Sequence, residues 1–327
     1  MQQLLVSGSP HIHSGDSVNR RMWNVVLAML PAVGVGVWVF GMQSLVTLTV
    51  SILACLLTEW LIGTVVMKRP FSLGNGSALI TGMLLAMNVP DILPWWMVVI
   101  GGVVAIGIGK MSFGGLGTNI WNPALVGRVF LLLSFPAAMT TWNPSVGNGL
   151  ASATDAYSGA TMLAALKDSG HVLDSGSVDW LNVSVGSMNG SFGEVGSIAI
   201  LIGLVWLLLT RTITWHIPVS MLGSAALFSF CVGADPLLEL LTGGMMLGAV
   251  FMATDYVTSP MSRKGQLIYG VLIGVITMVI RFWGAYPEGV SFAILLGNSV
   301  TPLLNKYCRP SRFGASGSRK LRKGVAA

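Results

Sequence analysis

Charge is what this sequence has least of. Lys, Arg, Asp and Glu make up 9% of its 327 residues, against about a quarter in a soluble globular chain. Mean hydropathy is +0.75, and together these values exclude an ordinary soluble domain. Cysteine is nearly absent as well: Cys55, Cys231 and Cys308 are scattered, two of them inside apolar runs, and no C-x-x-C pair occurs. The chain therefore lacks the thiol spacing for an iron-sulfur cluster or a redox pair, and these cysteines read as packing residues. His11, His13, His171 and His216 lie in tails, loops or run ends without helical ligand spacing, which argues for solvated or interfacial roles rather than a metal centre. There is no P-loop. "GVGVWVFG" (34–41) begins like a dinucleotide loop but carries Val39 at the third glycine position, with no strand before it. The N-terminal "MQQLLVSGSPHIHSGDSVNRR" is polar and shows no signal-peptide pattern.

Long apolar runs are what remains. They cover 22–40, 45–67, 76–89, 94–110, 120–135, 194–211, 215–233, 237–254, 266–283 and 289–305. Several reach the roughly twenty residues that cross a hydrocarbon core of about 30 Å. The expected fold is all-α: a polytopic membrane protein of about ten transmembrane helices, in two inverted five-helix repeats. Residues 1–21 form a cytoplasmic segment, 22–135 the first repeat, 136–193 a polar outer loop, 194–305 the second repeat and 306–327 a basic cytoplasmic tail. With the N-terminus inside, Arg20, Arg21, Lys68, Arg69, Lys110, Arg211, Arg263, Lys264 and the tail bases all fall on the cytoplasmic side, as the positive-inside rule requires. The tail bases, Lys306 to Lys323, then read as an anchor near anionic lipid and not as a nucleic-acid site. Five runs on each side of the loop give related halves opposite orientations. "ALITGMLLAM" (78–87) resembles "ELLTGGMMLGA" (239–249), each in the third run of its half. Run 76–89 is short, so it reads either as a half-helix entering from one side or as a tilted short helix.

A charge at the bilayer centre costs at least about 2.5–3.5 kcal/mol, so ionisable groups inside apolar runs are informative. Glu59, Arg128 and Asp255 qualify. A functional reading makes Glu59 and Asp255 carriers of a proton or Na⁺ and gives Arg128 an anion or an acidic partner; the alternative is an internal or intersubunit ion pair. "GNGSALITG" (74–82) opens the short run, and the free N–H groups of a helix start there could meet a quinone or flavin oxygen. Close helix packing accounts for most other glycines. In the polar loop stands "YSGATMLAAL" (157–166). Thr161 has no neighbouring base: Asp155 and Lys167 are each six residues away. It is no nucleophile in its own right, but it can be an acceptor modified by a separate enzyme, with small neighbours that let such an enzyme grip the segment.

The chain resembles the RnfD family, membrane components of the Rnf complex, the ion-translocating ferredoxin:NAD⁺ oxidoreductase. More distantly it is similar to the corresponding membrane component of the Na⁺-translocating NADH:quinone oxidoreductase. The resemblance rests on "SPHIHSGDSVNRRMWNVVLAMLPA" (9–32), "GNGSALITGMLLAMNVP" (74–90), "GGLGTNIWNPALVGRVFLLLSFP" (114–136), "YSGATMLAAL" (157–166) and "FMATDYVTSP" (251–260), which together span most of the chain. It implies FMN attached to Thr161 through a phosphoester, with Ser158, Gly159 and Ala160 as the recognition motif of a flavin transferase that uses FAD. It leaves room for a second, non-covalent flavin. Ferredoxin and NAD⁺ sites belong to iron-sulfur and second flavin subunits of the complex, and the helical body contributes to Na⁺ or H⁺ translocation. The chain is then a redox subunit of a translocase and not a self-sufficient enzyme. It lies in a bacterial or archaeal inner membrane with both termini cytoplasmic and the Thr161 loop outside. Two departures stand out: Tyr256 occupies a position where relatives often have proline, and the segment before the first run is shorter than in the quinone-reducing relative. A small-solute channel or secondary transporter with inverted repeats is the rival reading, and a structural scaffold a third.

Overall fold

A computed structural model describes residues 16–68, 73–142, 167, 191, 193, 196–286 and 288–309. All regular structure among them is helical. Helix α1 (Val18–Phe40) starts where the Ser17 hydroxyl accepts from the Arg20 amide at 3.2 Å. It stops at Gly41, whose φ of +73° begins α2 (Met42–Leu61). A π-turn over Ile62–Val66 carries α2 to 25 residues. Helix α3 (Ser77–Ala86) is short, 10 residues, or about 15 Å by helical rise. Helix α4 (Trp95–Gly107) runs on through turns to Phe113, and α5 (Pro123–Ser134) has Asn122 as its cap and Pro123 at its first position.

In the second half, α6 (Ser197–Leu209) and α7 (His216–Val232) are followed by a short Asp235-capped segment, Pro236–Leu241. The run expected to be continuous over 237–254 is broken at Thr242–Gly244. Gly243 and Gly244 take φ of +67° and +64°, a region glycine enters without a Cβ penalty. Beyond them α8 (Met245–Leu247) passes into a π-turn, Gly248–Met252, and all eight residues are buried. Helices α9 (Arg263–Trp283) and α10 (Val290–Tyr307) complete the bundle.

The pairing repeats between the halves. In the first, α4 packs against α2 and α5; in the second, α9 packs against α7 and α10; and α1 of the first half packs against α6 of the second. Contact between α2 and α3 is backbone-close. A Cβ on Gly82 would lie 2.7 Å from the Ile52 Cα, so that position accepts glycine alone, and the Ser51 hydroxyl donates to the Gly82 carbonyl at 2.8 Å. Small residues allow this approach where lipid supplies no hydrophobic drive between helices.

Four helical stretches, Val18–Phe40, Met42–Val66, Trp95–Phe113 and Arg263–Trp283, are long and apolar enough to cross a membrane. Large apolar side chains on their outer faces, such as Leu53, Leu57, Val103 and Val271, are exposed. That suits a lipid solvent and would be anomalous in water. The bundle has two chemically distinct ends. At one, the Arg21 guanidinium donates to the Arg211 carbonyl at 3.0 Å, Thr214 to Gln266 at 2.9 Å, and the Met261 amide to Asn305 at 3.0 Å. This basic end also carries Lys110, Arg263, Lys264 and Lys306. The opposite end carries Asp91, Asp235, Glu239 and Glu288. Exposed tryptophans mark both: Trp23, Trp60, Trp206 and Trp215 near the basic end, and Trp38, Trp95, Trp96 and Trp283 near the acidic one, the pattern of interfacial aromatic belts.

Candidate functional site

The start of α3 organises the basic end. Gly76, at φ +74°, turns the chain into the helix, and the Asn75 side-chain oxygen accepts from the Ser77 amide at 3.0 Å and the Ser77 hydroxyl at 2.7 Å. Lys110, just past α4, reaches into the same place: its ammonium lies 2.6 Å from the Ser77 Oγ and 2.8 Å from Glu59 Oε2. The two charged side chains are only 3% and 4% exposed. A charge so deep must be paired and hydrogen-bonded, and this pair satisfies both conditions.

Beside it opens a cavity, with Ser77, Lys110, Asn119, Asn122, Thr254 and Asp255 supplying its polar wall. Asp255 follows the π-turn of α8 and is half-buried. Its Oδ2 accepts from Thr258 Oγ1 at 3.1 Å and its carbonyl from the Ser259 amide at 3.1 Å. Lys110 and Asp255 both line this wall. Tyr256 stands at the mouth, and its hydroxyl donates to the Thr212 carbonyl at 2.7 Å. Burial pushes the Tyr256 phenol up from its ordinary range, and its hydrogen bond with Arg21 opposes that shift. Asn122 ties three elements together. Its Oδ1 caps the Ala124 amide at 3.1 Å, its Nδ2 donates to the Met252 carbonyl at 3.3 Å, and its backbone amide faces Asn298, whose side chain lies 2.5 Å from the Tyr269 hydroxyl.

A second buried pair closes the acidic end. Arg281, on the last turn of α9, is fully buried and donates to the Glu239 carbonyl at 2.5 Å and carboxylate at 2.9 Å. It also donates to the carbonyls of Thr242 and Gly243 at 2.9 and 3.0 Å. Those carbonyls lie immediately before α8. Arg128 on α5 is buried, donates to Glu288 and Ser291, and so has an acidic partner within the chain. Lys167 donates to the Gly284 carbonyl past the end of α9.

The structure thus brings Glu59 and Asp255 to one end and Arg128 to the other. Thr161, Ser158, Gly159 and Ala160 lie outside the described residues. Composition and periodicity missed Lys110, Glu239 and Arg281 as partners. Each sits at a run end, where topology alone accounts for a charge. Their partners are 51 and 42 residues away.

Apolar helices long enough to cross a membrane, packed around buried and paired ionisable groups, define a polytopic membrane protein. Residues 5–314 match the NQR2, RnfD, RnfE family model, and the chain belongs to that family. It is 42% identical over 320 residues to the D-type component of the Na⁺-translocating ferredoxin:NAD⁺ oxidoreductase complex of Acetobacterium woodii, covering 98% of each chain. It is 40% identical over 321 residues to the D-type component of the proton-translocating ferredoxin:NAD⁺ oxidoreductase complex of Clostridium ljungdahlii, covering 94% of this chain and 96% of that one. To the same component of the ion-translocating oxidoreductase complex of Citrobacter koseri it is 38% identical, covering 94% and 98%. The first two relatives carry names with different ions at nearly equal identity.

Proposed function

We propose that this chain is the membrane subunit of an Rnf-type ion-translocating ferredoxin:NAD⁺ oxidoreductase complex, that it passes electrons through an FMN esterified to Thr161, and that its helical body contributes to Na⁺ or H⁺ movement. The observation that carries this reading is the near end-to-end match to RnfD-type relatives at about 40% identity. Ser158, Gly159 and Ala160 form the motif gripped by a maturing flavin transferase. Ferredoxin and NAD⁺ are handled by partner subunits that carry iron-sulfur clusters and a second flavin.

In this reading the fold is two inverted five-helix repeats, α1 to α5 and α6 to α10, and the shared pairing of their second, fourth and fifth members supports it. Gly76 before α3 and Gly244 before α8 are corresponding turns, at φ +74° and +64°. Short buried helices entered from opposite ends suit a protein that binds its cargo near the bilayer midplane. The basic end faces the cytoplasm, with both termini. The acidic end faces outward with the Thr161 loop. Six residues separate Thr161 from Lys167 and reach at most about 22 Å, so the Lys167 contact with Gly284 supports a flavin tethered near the outward end of α9.

The second, non-covalent flavin of the family reading is assigned to the basic end, against the outer lining of the cavity there. Amide and hydroxyl groups of Asn119, Asn122, Ser77 and Thr254 offer donors and acceptors for the polar edge of its ring, the ammonium of Lys110 suits an electron-rich one, and Ile80, Leu84 and Phe251 supply apolar surface. A flavin supplies one- and two-electron chemistry that no side chain offers. Glu59 and Asp255 belong to the ion pathway beside it, and Arg128, held by Glu288, keeps α5 and α10 together at the outward end.

In-gel flavin fluorescence of the denatured subunit, co-expressed with its transferase, tests the covalent site. A fluorescent band that vanishes in Thr161→Ala is the expected result. A dark wild-type band with transferase present would shift weight to the transporter reading.

A further inference from the structure

Two ionisable groups meet at the start of α3, a third lines the cavity beside them, and among the described residues their charges do not cancel. Glu59 and Asp255 bring two negative charges when ionised and Lys110 one positive. Groups facing Lys110 from the packed elements are Glu59 and Cys55 of α2, Ser77 of α3, Asp255 beyond α8 and, at the cavity mouth, the phenol of Tyr256. Arg21 lies past that phenol and is already engaged by Asp16. A net negative charge in an apolar bundle is costly unless matched, and among the described residues the deficit, with both carboxylates ionised, is one monovalent cation. Lys110 is also the kind of residue that can change partners: a compact charge on a flexible four-carbon stem, with three donors that need no fixed plane. It holds Glu59 now, and Asp255 shares the cavity wall.

Resting on the placement of Glu59 and Asp255 in the ion pathway, we propose that Lys110 is the resident counterion displaced by the translocated cation. When one Na⁺ or proton binds Glu59, the ammonium moves toward Asp255. When the ion leaves, the ammonium returns to Glu59 and prevents immediate rebinding. Lys110 is thus a positioning residue that sets how tightly, and for how long, the chain holds its ion. The role needs no redox change in Lys110 itself. It makes Glu59, Lys110 and Asp255 one set whose charge one added positive charge balances.

The test uses the whole complex in proteoliposomes, driven by reduced ferredoxin and NAD⁺, with turnover titrated against Na⁺ at fixed pH and against pH at fixed Na⁺. Lys110→Met removes the competitor, so the half-saturating Na⁺ concentration falls about tenfold if the ion is Na⁺; if it is the proton, the pH profile moves up by about one unit. Maximal turnover falls in either case because release is slower. Lys110→Arg holds Glu59 with a fixed fork and shifts the same quantity several-fold in the opposite direction. Because it keeps the charge, this variant carries the test if Lys110→Met fails to assemble. Unchanged half-saturation in both titrations, with only a lower maximal rate, would overturn the proposal, as would shifts of the same sign in both variants. Glu59→Gln separates the two levels. If it translocates ions normally, the ion-pathway reading falls. If it is inactive while the lysine variants keep wild-type half-saturation, only the role of Lys110 falls.

Discussion

The two buried ion pairs, Lys110 with Glu59 and Arg281 with Glu239, occupy equivalent situations at opposite ends of the bundle and are built differently. Each joins a cation at or beyond the end of a half's fourth helix to a glutamate on the second helix or the short segment that follows it. Each lies beside the glycine turn that opens a short buried helix. Arg281 is locked. Its planar head spends donors on one carboxylate and three carbonyls, all from the 239–243 segment, and it staples the break before α8 to α9. Lys110 has a hydroxyl and a carboxylate as partners, with a cavity alongside. The comparison teaches that equally deep burial of charge can serve opposite ends. A fork with every acceptor fixed specifies structure, and a point charge next to open space can be exchanged.

Substitutions can break or sharpen this contrast. Arg281→Met should have the largest effect: it strands Glu239 in an apolar interior and frees three carbonyls, for a loss of about 3–5 kcal/mol, read as a collapse of assembled protein or of the unfolding midpoint in mild detergent. Lys110→Met should cost less in the same assay, about 1–3 kcal/mol, because Lys110 itself lines a cavity, and its loss gives water or a cation a route to the Glu59 it leaves behind. A loss equal to that of Arg281→Met would erase the distinction. Asn75→Ala removes the side-chain acceptor of the Ser77 amide and hydroxyl and should cost about 1 kcal/mol, visible as faster hydrogen exchange over Ser77–Ile80. Tyr256→Phe loses the hydrogen bonds to Thr212 and Arg21 and should cost about 0.5–1.5 kcal/mol, with the mouth of the cavity more open to solvent probes. Asp16→Asn, which breaks a surface pair exposed by 41% and 37%, should change stability by less than about 0.5 kcal/mol.

Much of the framework was legible in composition and periodicity alone. The apolar runs gave the long helices, and the shortness of 76–89 anticipated α3, because span length is a one-dimensional property of the chain. Glu59, Asp255 and Arg128 stood out because charge is expensive in lipid. The likeness of 78–87 to 239–249 was less instructive. Thr81 and Gly82 lie within α3, where Gly82 packs on Ile52, whereas Thr242 and Gly243 lie in the break before α8. An added glycine, Gly244, supplies a second positive φ, so similar letters occupy different registers. The partners of Lys110, Arg281 and Arg128 were invisible for another reason. Pairs separated by 42 to 160 residues are made by helix packing, and no local window holds both members. The Thr161 segment became meaningful only through the family resemblance, since a threonine without a base nearby has no chemistry of its own to announce.

The most direct measurement is the intact mass of the subunit purified after co-expression with its flavin transferase, beside that of Thr161→Ala. A wild-type chain heavier by one FMN, lost in the variant, is the expected result. A matured chain of unmodified mass, or an adduct that survives Thr161→Ala, would contradict an electron carrier tethered at that hydroxyl.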